Sequence, residues 1–121
     1  MKANDIEAYN AAWLQAWTNK DVDALCAFYA EDCVYKDPQT AAGLTGNEAL
    51  RGYLTGLFAA TPTMTYTPDE VWPIPGGFCG RWYCDIGDPA APQGRIRGFD
   101  LVILDGDRIA LNEVYVHELP A

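Results

Sequence analysis

The chain has 121 residues, of which 50% are hydrophobic and 12% aromatic, so it can bury a core without disulfide or metal staples. Its 17 acidic and 8 basic side chains give a formal net charge of -9, which argues against nucleic acids and anionic membranes as partners. The first residues lack the apolar core of a signal peptide, and no run approaches the ~18 apolar residues that span a bilayer. We therefore predict one soluble, cytoplasmic domain over residues 1–121.

Cysteine and histidine usage argues against a metal site. The four cysteines form no Cys-x-x-Cys pair, and His117 is the only histidine. This pattern is typical of reduced thiols in a protein core. We expect neither a metal nor an organic cofactor.

Apolar spacing predicts three helices in the first half of the chain: residues 4–19, 22–29 and about 47–59. Asp21 is placed to cap the second helix. A short strand over residues 33–36 follows that helix, and Asp37-Pro38 closes it.

Alternating apolar residues predict four long strands in the second half: residues 64–74, 78–86, 93–104 and 108–119. Pro68 and Pro73 place the first of these at a sheet edge or a bulge, because proline cannot donate a ladder hydrogen bond. Asp105-Gly106-Asp107 predicts a tight hairpin before the last strand. Helices followed by an antiparallel meander predict an α+β domain with the helices on one face of the sheet.

Asp100 is the most informative residue, because it lies inside the apolar run from Gly98 to Leu104. A carboxylate buried there costs several kcal/mol unless it is paired, hydrogen-bonded or protonated. A neutral buried acid can donate a hydrogen bond to a reacting oxygen, but a purely structural acid fits the same pattern. The strand is apolar on both faces, which predicts that the second face is covered by another subunit in a homodimer.

Aromatic residues offer the walls of a cavity for a small, flat, apolar ligand. The aromatic candidates from the predicted helices and strands are Trp13, Trp17, Tyr29, Phe58 and Trp82, and Cys84 shares a strand face with Trp82. For any single one of them a plain core position is favoured, and the cavity is predicted from the set as a whole.

The element order resembles the nuclear transport factor 2-like (SnoaL-like) superfamily. The likeness rests on residues 19–25, on residues 29–38 and on Gly98-Phe99-Asp100 ahead of an Asp-Gly turn. It implies three helices packed on a strongly curved, mostly antiparallel sheet that forms a conical pocket, a cystatin-like α+β barrel. The superfamily includes isomerases, hydrolases, cyclases and non-catalytic members.

Within that superfamily, the chemistry most resembles ketosteroid isomerase. The likeness implies that Asp37 is the base that moves a proton and that Asp100 is the neutral acid that stabilises the enolate oxygen. Trp13 stands where that family has a first-helix tyrosine, and its indole N–H is a donor that is less acidic than a phenol. The likeness also places four further residues at the cavity: Leu54, Asn112, Val114 and Val116.

Two neighbouring groups fit less well. The cyclases and the limonene epoxide hydrolases carry an acid where this chain has Val114. The hydrolases also use an Arg-x-Asp pair, whereas Arg97 and Asp100 are three residues apart and lie on opposite faces of a strand.

The residues therefore predict a cofactor-free proton-transfer enzyme for a small apolar carbonyl or enol compound. The alternative is a non-catalytic ligand-binding or dimeric assembly module of the same fold. A third possibility is a structural domain whose cone is filled by its own side chains.

Overall fold

A computed structural model describes residues 3–120 of the chain. These residues form three helices: α1 (Ala3–Asn19), α2 (Val22–Phe28) and α3 (Asn47–Ala60). They form six strands: β1 (Tyr29–Lys36), β2 (Leu44–Thr45), β3 (Met64–Ile74), β4 (Gly77–Ile86), β5 (Gly94–Asp105) and β6 (Arg108–Glu118). No helix within residues 3–120 is long and apolar enough to cross a membrane.

The six strands form one curled sheet in the order β2-β1-β6-β5-β4-β3. The β3–β4–β5–β6 meander is antiparallel throughout, and the β1–β6 pair is the parallel one in the described sheet. The helices precede this meander in the chain and bury their apolar faces in the same core cluster as its inner face. The predicted α+β fold with a curved, mostly antiparallel sheet is confirmed.

The first strand is longer than predicted, because α2 passes into β1 without a turn. Tyr29 closes the helix and already has extended backbone angles, with φ -101° and ψ 145°. The two-residue strand β2 was not predicted, since an element of that length leaves no periodic pattern. It pairs with Val34 and Tyr35 of β1.

Pro68 and Pro73 lie in a strand at the edge of the sheet, as the missing N–H group of proline predicts. β3 is the edge strand of the sheet, and its pairing register with β4 shifts between Pro68 and Val71. An edge position and a bulge both remove the need for the N–H that proline lacks.

Side chains on the inner face of the sheet meet α1 and α3 in an aromatic core. Trp17 of α1 lies at its centre and contacts Tyr35 of β1, Phe58 of α3 and Tyr66 of β3, with ring centroids 5.7 to 6.4 Å apart. Thr18 accepts a hydrogen bond from the backbone N–H of Tyr66 at 2.9 Å, which ties α1 to the edge strand.

Trp82 owes its orientation to a glycine on the neighbouring strand. Trp82 of β4 is paired in register with Gly98 of β5. A Cβ atom added to Gly98 would lie only 2.1 to 2.4 Å from three atoms of the indole. The ring therefore lies directly over the glycine, in a space that no other residue type leaves open.

Replacing Gly98 with Ala should displace the Trp82 indole and lower the free energy of unfolding by about 1–3 kcal/mol, because the added methyl overpacks a rigid site. Denaturant unfolding followed by tryptophan fluorescence measures this change. The matched control is Gly56→Ala on α3, where no atom lies within 4 Å of the added Cβ. That change should raise stability by about 0.5–1 kcal/mol. Equal effects of the two substitutions would show that Gly98 makes no room for the indole.

Candidate functional site

A cavity of about 210 Å³ lies between the helices and the inner face of the sheet. From the helices it is lined by Trp13, Leu14, Trp17, Tyr53 and Leu57. From the strands it is lined by Tyr35, Met64, Tyr66, Trp82, Ile96 and Val114. Asp37 and Asp100 both line it, and Pro38, Gln39 and Val116 form its exposed rim. In the described part of the chain, no three His, Cys, Asp or Glu side chains gather closely enough to bind a metal ion.

The carboxylate of Asp100 lies deep in this cavity, with 2% of the residue exposed. The indole Nε1 of Trp82 donates to Oδ1 at 3.0 Å, and the amide Nδ2 of Asn112 donates to Oδ2 at 3.0 Å. Both oxygens are therefore satisfied by buried donors, as a charged or polar group in a core requires.

The network continues behind Asn112. Tyr29 donates its hydroxyl proton to Oδ1 of Asn112 at 2.8 Å, and Trp13 donates from Nε1 to the hydroxyl oxygen of Tyr29 at 3.3 Å. Since the tyrosine proton occupies the amide oxygen, the amide nitrogen of Asn112 is the group left to face Asp100.

The expected role of Trp13 needs correction at this point. Its ring lines the cavity, but its single N–H is directed at Tyr29 and not at a position beside Asp100. The indole that donates to Asp100 is that of Trp82.

Burial raises the pKa of Asp100 from 3.8 to about 7, although the hydrogen bonds from Asn112 and Trp82 oppose this shift. The neutral form of the acid is therefore accessible near neutral pH. Both of its hydrogen-bond partners are donors, so neither can accept the acid proton. That proton is free to be donated to a ligand in the cavity.

Asp37 lies at the end of β1, half-buried near the rim. Its Oδ1 accepts hydrogen bonds from the backbone N–H groups of Gln39 and Thr40, each at 2.9 Å, and from the Thr40 hydroxyl at 3.0 Å. Its Oδ2 accepts from the hydroxyls of Tyr35 at 2.9 Å and Tyr53 at 2.6 Å. Burial raises the pKa of both tyrosines, and the Asp37 carboxylate adds to the shift, so they remain donors.

The structure brings seven of the predicted site residues to one cavity: Trp13, Trp17, Asp37, Trp82, Asp100, Val114 and Val116. Five others do not line it: Tyr29, Leu54, Phe58, Cys84 and Asn112. Tyr29 and Asn112 are fully buried in the network behind Asp100 and can act only through that residue.

The prediction for α3 is wrong by one residue. Leu54 is fully buried and Phe58 packs edge-on against Trp17, whereas Tyr53 and Leu57 line the cavity. Adjacent helical residues point about 100° apart, so a shift of one position exchanges the cavity face for the core face.

Four strand residues also line the cavity without having been predicted: Tyr35, Met64, Tyr66 and Ile96. Cys84 is fully buried, and Tyr66, its cross-strand partner on β3, lines the cavity in its place. Tyr35 lies two residues before Asp37, so strand alternation places both on one face and could have identified it.

The pKa of Asp100 predicts a pH-dependent stability. Because its folded value lies above the unfolded value of about 3.9, the native state binds more protons than the unfolded state between these two values. The free energy of unfolding should therefore fall as pH rises from 5 to 7, by up to about 1.4 kcal/mol per pH unit. Denaturant titrations at several pH values measure this slope.

In Asp100→Asn this contribution should disappear, whereas the exposed control Asp69→Asn should keep the wild-type slope. A slope shared by the wild type and Asp100→Asn would show that Asp100 keeps its ordinary acidity in the core.

The chain matches the family model described as SnoaL-like domain over residues 10–112. No curated protein matches its sequence. Among solved structures, it is similar to a Catenulispora acidiphila protein with a ketosteroid isomerase-like fold, in complex with trimethylamine. That protein is 22% identical with a TM-score of 0.76, and the match covers 88% of this chain and 83% of that one.

Two further structures share the fold at lower identity. A nuclear transport factor 2-like protein of unknown function from Burkholderia pseudomallei is 11% identical with a TM-score of 0.79, over 97% of this chain and 92% of that one. An uncharacterised cystatin-fold protein from Novosphingobium aromaticivorans is 18% identical with a TM-score of 0.70, and the match covers 89% of this chain and 95% of that one. Because the family model spans most of the sequence, the chain belongs to the SnoaL-like domain family of the nuclear transport factor 2-like superfamily.

Proposed function

We propose that this chain is a cofactor-free proton-transfer enzyme that acts on a small, largely apolar carbonyl or enol compound. The observation that carries this proposal is that Asp37 and Asp100 line one aromatic cavity from different elements. One acid lies near the exposed rim and the other is fully buried, so their environments differ. Such a difference allows one carboxyl group to act as a base while the other acts as a hydrogen-bond donor.

The proposed reaction moves one proton between two carbons. Asp37 takes a proton from the carbon next to the carbonyl, and the C–H electron pair forms the enolate. Asp100 in its neutral form donates a hydrogen bond to the enolate oxygen, where the negative charge develops. In a substrate with a β,γ C=C bond the enolate extends over that bond, and Asp37 returns the proton to the γ-carbon. The C=C bond thereby moves into conjugation with the carbonyl, which yields an isomer with no net change in protons or electrons.

The size of the cavity limits the substrate. A volume of about 210 Å³ lies below the ~300 Å³ at which ordinary ligand pockets begin. This favours compounds of one or two rings. The aromatic walls favour flat, apolar bodies.

Hydrogen exchange of ketone probes in D₂O tests the proposed chemistry. Cyclohexanone and 2-indanone should exchange their α-protons faster with the protein than without it, as followed by NMR. Asp37→Asn should reduce this exchange by about 10²-fold or more, since general acid–base groups contribute that much. Ketone binding should persist in that variant, because the amide keeps the shape of the carboxylate.

The matched control is Asp69→Asn, which removes an exposed carboxylate that pairs with Arg81 outside the cavity. Its exchange rate should equal that of the wild type. Exchange that survives Asp37→Asn would remove Asp37 from the base role, and ketone binding without any exchange would support a non-catalytic protein.

A non-catalytic ligand-binding module is the second candidate, and two observations favour it. Asp37 already accepts five hydrogen bonds, which stabilise its carboxylate and compete with a substrate proton. The single N–H group of Trp13 donates to Tyr29 and is not directed at a ligand. The trimethylamine bound to the Catenulispora acidiphila protein makes small amines useful probes for this candidate.

We also propose a homodimer formed through the outer face of the sheet. Phe99 and Tyr115 are cross-strand partners there, with 41% and 60% of each residue exposed. The ring of Trp72 packs against Phe99 with centroids 5.9 Å apart, which extends the apolar surface. Exposed aromatic clusters of this kind mark interaction surfaces.

Sedimentation equilibrium should then give a mass of twice 13.3 kDa for the wild type. Phe99→Lys should shift the protein to the monomer, because it places a charge in the apolar contact. The control Ala90→Lys adds the same charge in an exposed loop and should leave the dimer intact. A wild-type monomer at micromolar concentration, or a dimer that tolerates Phe99→Lys, would contradict this interface.

A further inference from the structure

The side chains that line the cavity carry charges of one sign only. Asp37 and Asp100 line it, and none of its sixteen lining residues is Lys, Arg or His. Two basic groups outside the lining are engaged with other partners: Lys36 lies 3.7 Å from Glu113, and Lys20 donates to the oxygens of Thr61. An anionic ligand would therefore enter without a counter-charge.

The walls of the cavity are largely aromatic, and most of the polar groups on the rings are engaged. Six lining residues are aromatic: Trp13, Trp17, Tyr35, Tyr53, Tyr66 and Trp82. Four of their N–H or O–H groups are already used, because the two indoles at 13 and 82 donate to Tyr29 and Asp100, and two tyrosines donate to Asp37. What those rings offer a ligand is the electron-rich face, which attracts cations.

The lining rings form one continuous set of ring–ring contacts. Tyr35 lies 6.4 Å from Trp17 and 5.8 Å from Tyr53, measured between ring centroids. Tyr66 lies 6.0 Å from Trp17 and 5.0 Å from Trp82. Asp37 accepts hydrogen bonds from two of these tyrosines, so its charge lies at the edge of the same set of rings.

We propose that the ligand of this cavity carries an alkylated ammonium group, held by the aromatic faces with Asp37 as its counter-ion. This inference rests on the proposed function, because it names the charge of the substrate for the same cavity. An alkylated ammonium suits Asp37 better than a primary amine does. The oxygens of Asp37 already accept five hydrogen bonds. The carboxylate can therefore attract a cation by its charge, but it has little capacity to accept the N–H hydrogen bonds of a primary amine.

Calorimetry with two isosteric probes tests this inference. Choline and 3,3-dimethylbutan-1-ol differ in one atom, because a neutral carbon replaces the quaternary nitrogen. Choline should bind at least ten times more tightly than the alcohol. Glycine betaine, which keeps the ammonium and adds a carboxylate, should bind more weakly than choline, since no basic side chain lines the cavity.

Asp37→Asn should weaken choline binding towards the level of the neutral alcohol and leave alcohol binding unchanged. The control Asp69→Asn removes the same charge on the outside and should leave choline binding as in the wild type. Equal binding of the two isosteres, tighter binding of the alcohol, or no binding of either at millimolar concentration would each overturn the inference.

The result of the choline-binding test can be distinguished from the result of the ketone-exchange test. Ketone exchange without a preference for choline would overturn the ammonium ligand and leave proton transfer in place. A preference for choline without ketone exchange would overturn the enzyme and leave a cavity that binds organic cations.

Discussion

The buried carboxylate of Asp100 is the interaction on which the inner wall of this fold depends. Its two oxygens are held by Trp82 of β4 and Asn112 of β6, and Asn112 is held in turn by Tyr29 of β1. Trp13 extends the same network to α1. Five elements are thus joined through polar groups inside an apolar core. Removing any member leaves a buried donor or acceptor unsatisfied, which costs about 1–3 kcal/mol.

The two acids of the cavity are held in different ways. Asp37 is held by its own turn and by two tyrosines, near water and with many donors. Asp100 has two donors and is excluded from water, so burial dominates and its neutral form becomes accessible near pH 7. The same functional group therefore lies in two different environments within one cavity, set by the elements that carry it.

Much of this architecture follows from local patterns in the sequence. Apolar periodicity identified the three helices and four long strands, and a lone acid in an apolar strand identified Asp100. Periodicity does not show where an N–H group points, so Trp13 was expected to donate to a ligand oxygen, whereas its N–H donates to Tyr29. The positions on α3 were wrong by one residue, because neither the family likeness, which gave Leu54, nor the aromatic composition, which gave Phe58, determines the rotation of the helix about its axis. The start of β1 was missed, since no turn residue separates it from α2.

The contact between Trp82 and Gly98 has a consequence for how this family varies. The indole fits only because the opposite position has no side chain. A larger residue at position 98 requires a smaller one at position 82, and that exchange would also remove the donor to Asp100 and widen the cavity. Positions 82 and 98 should therefore change together among relatives. A paired substitution at these positions would change both the size of ligand that the cavity accepts and the acidity of the buried carboxyl group.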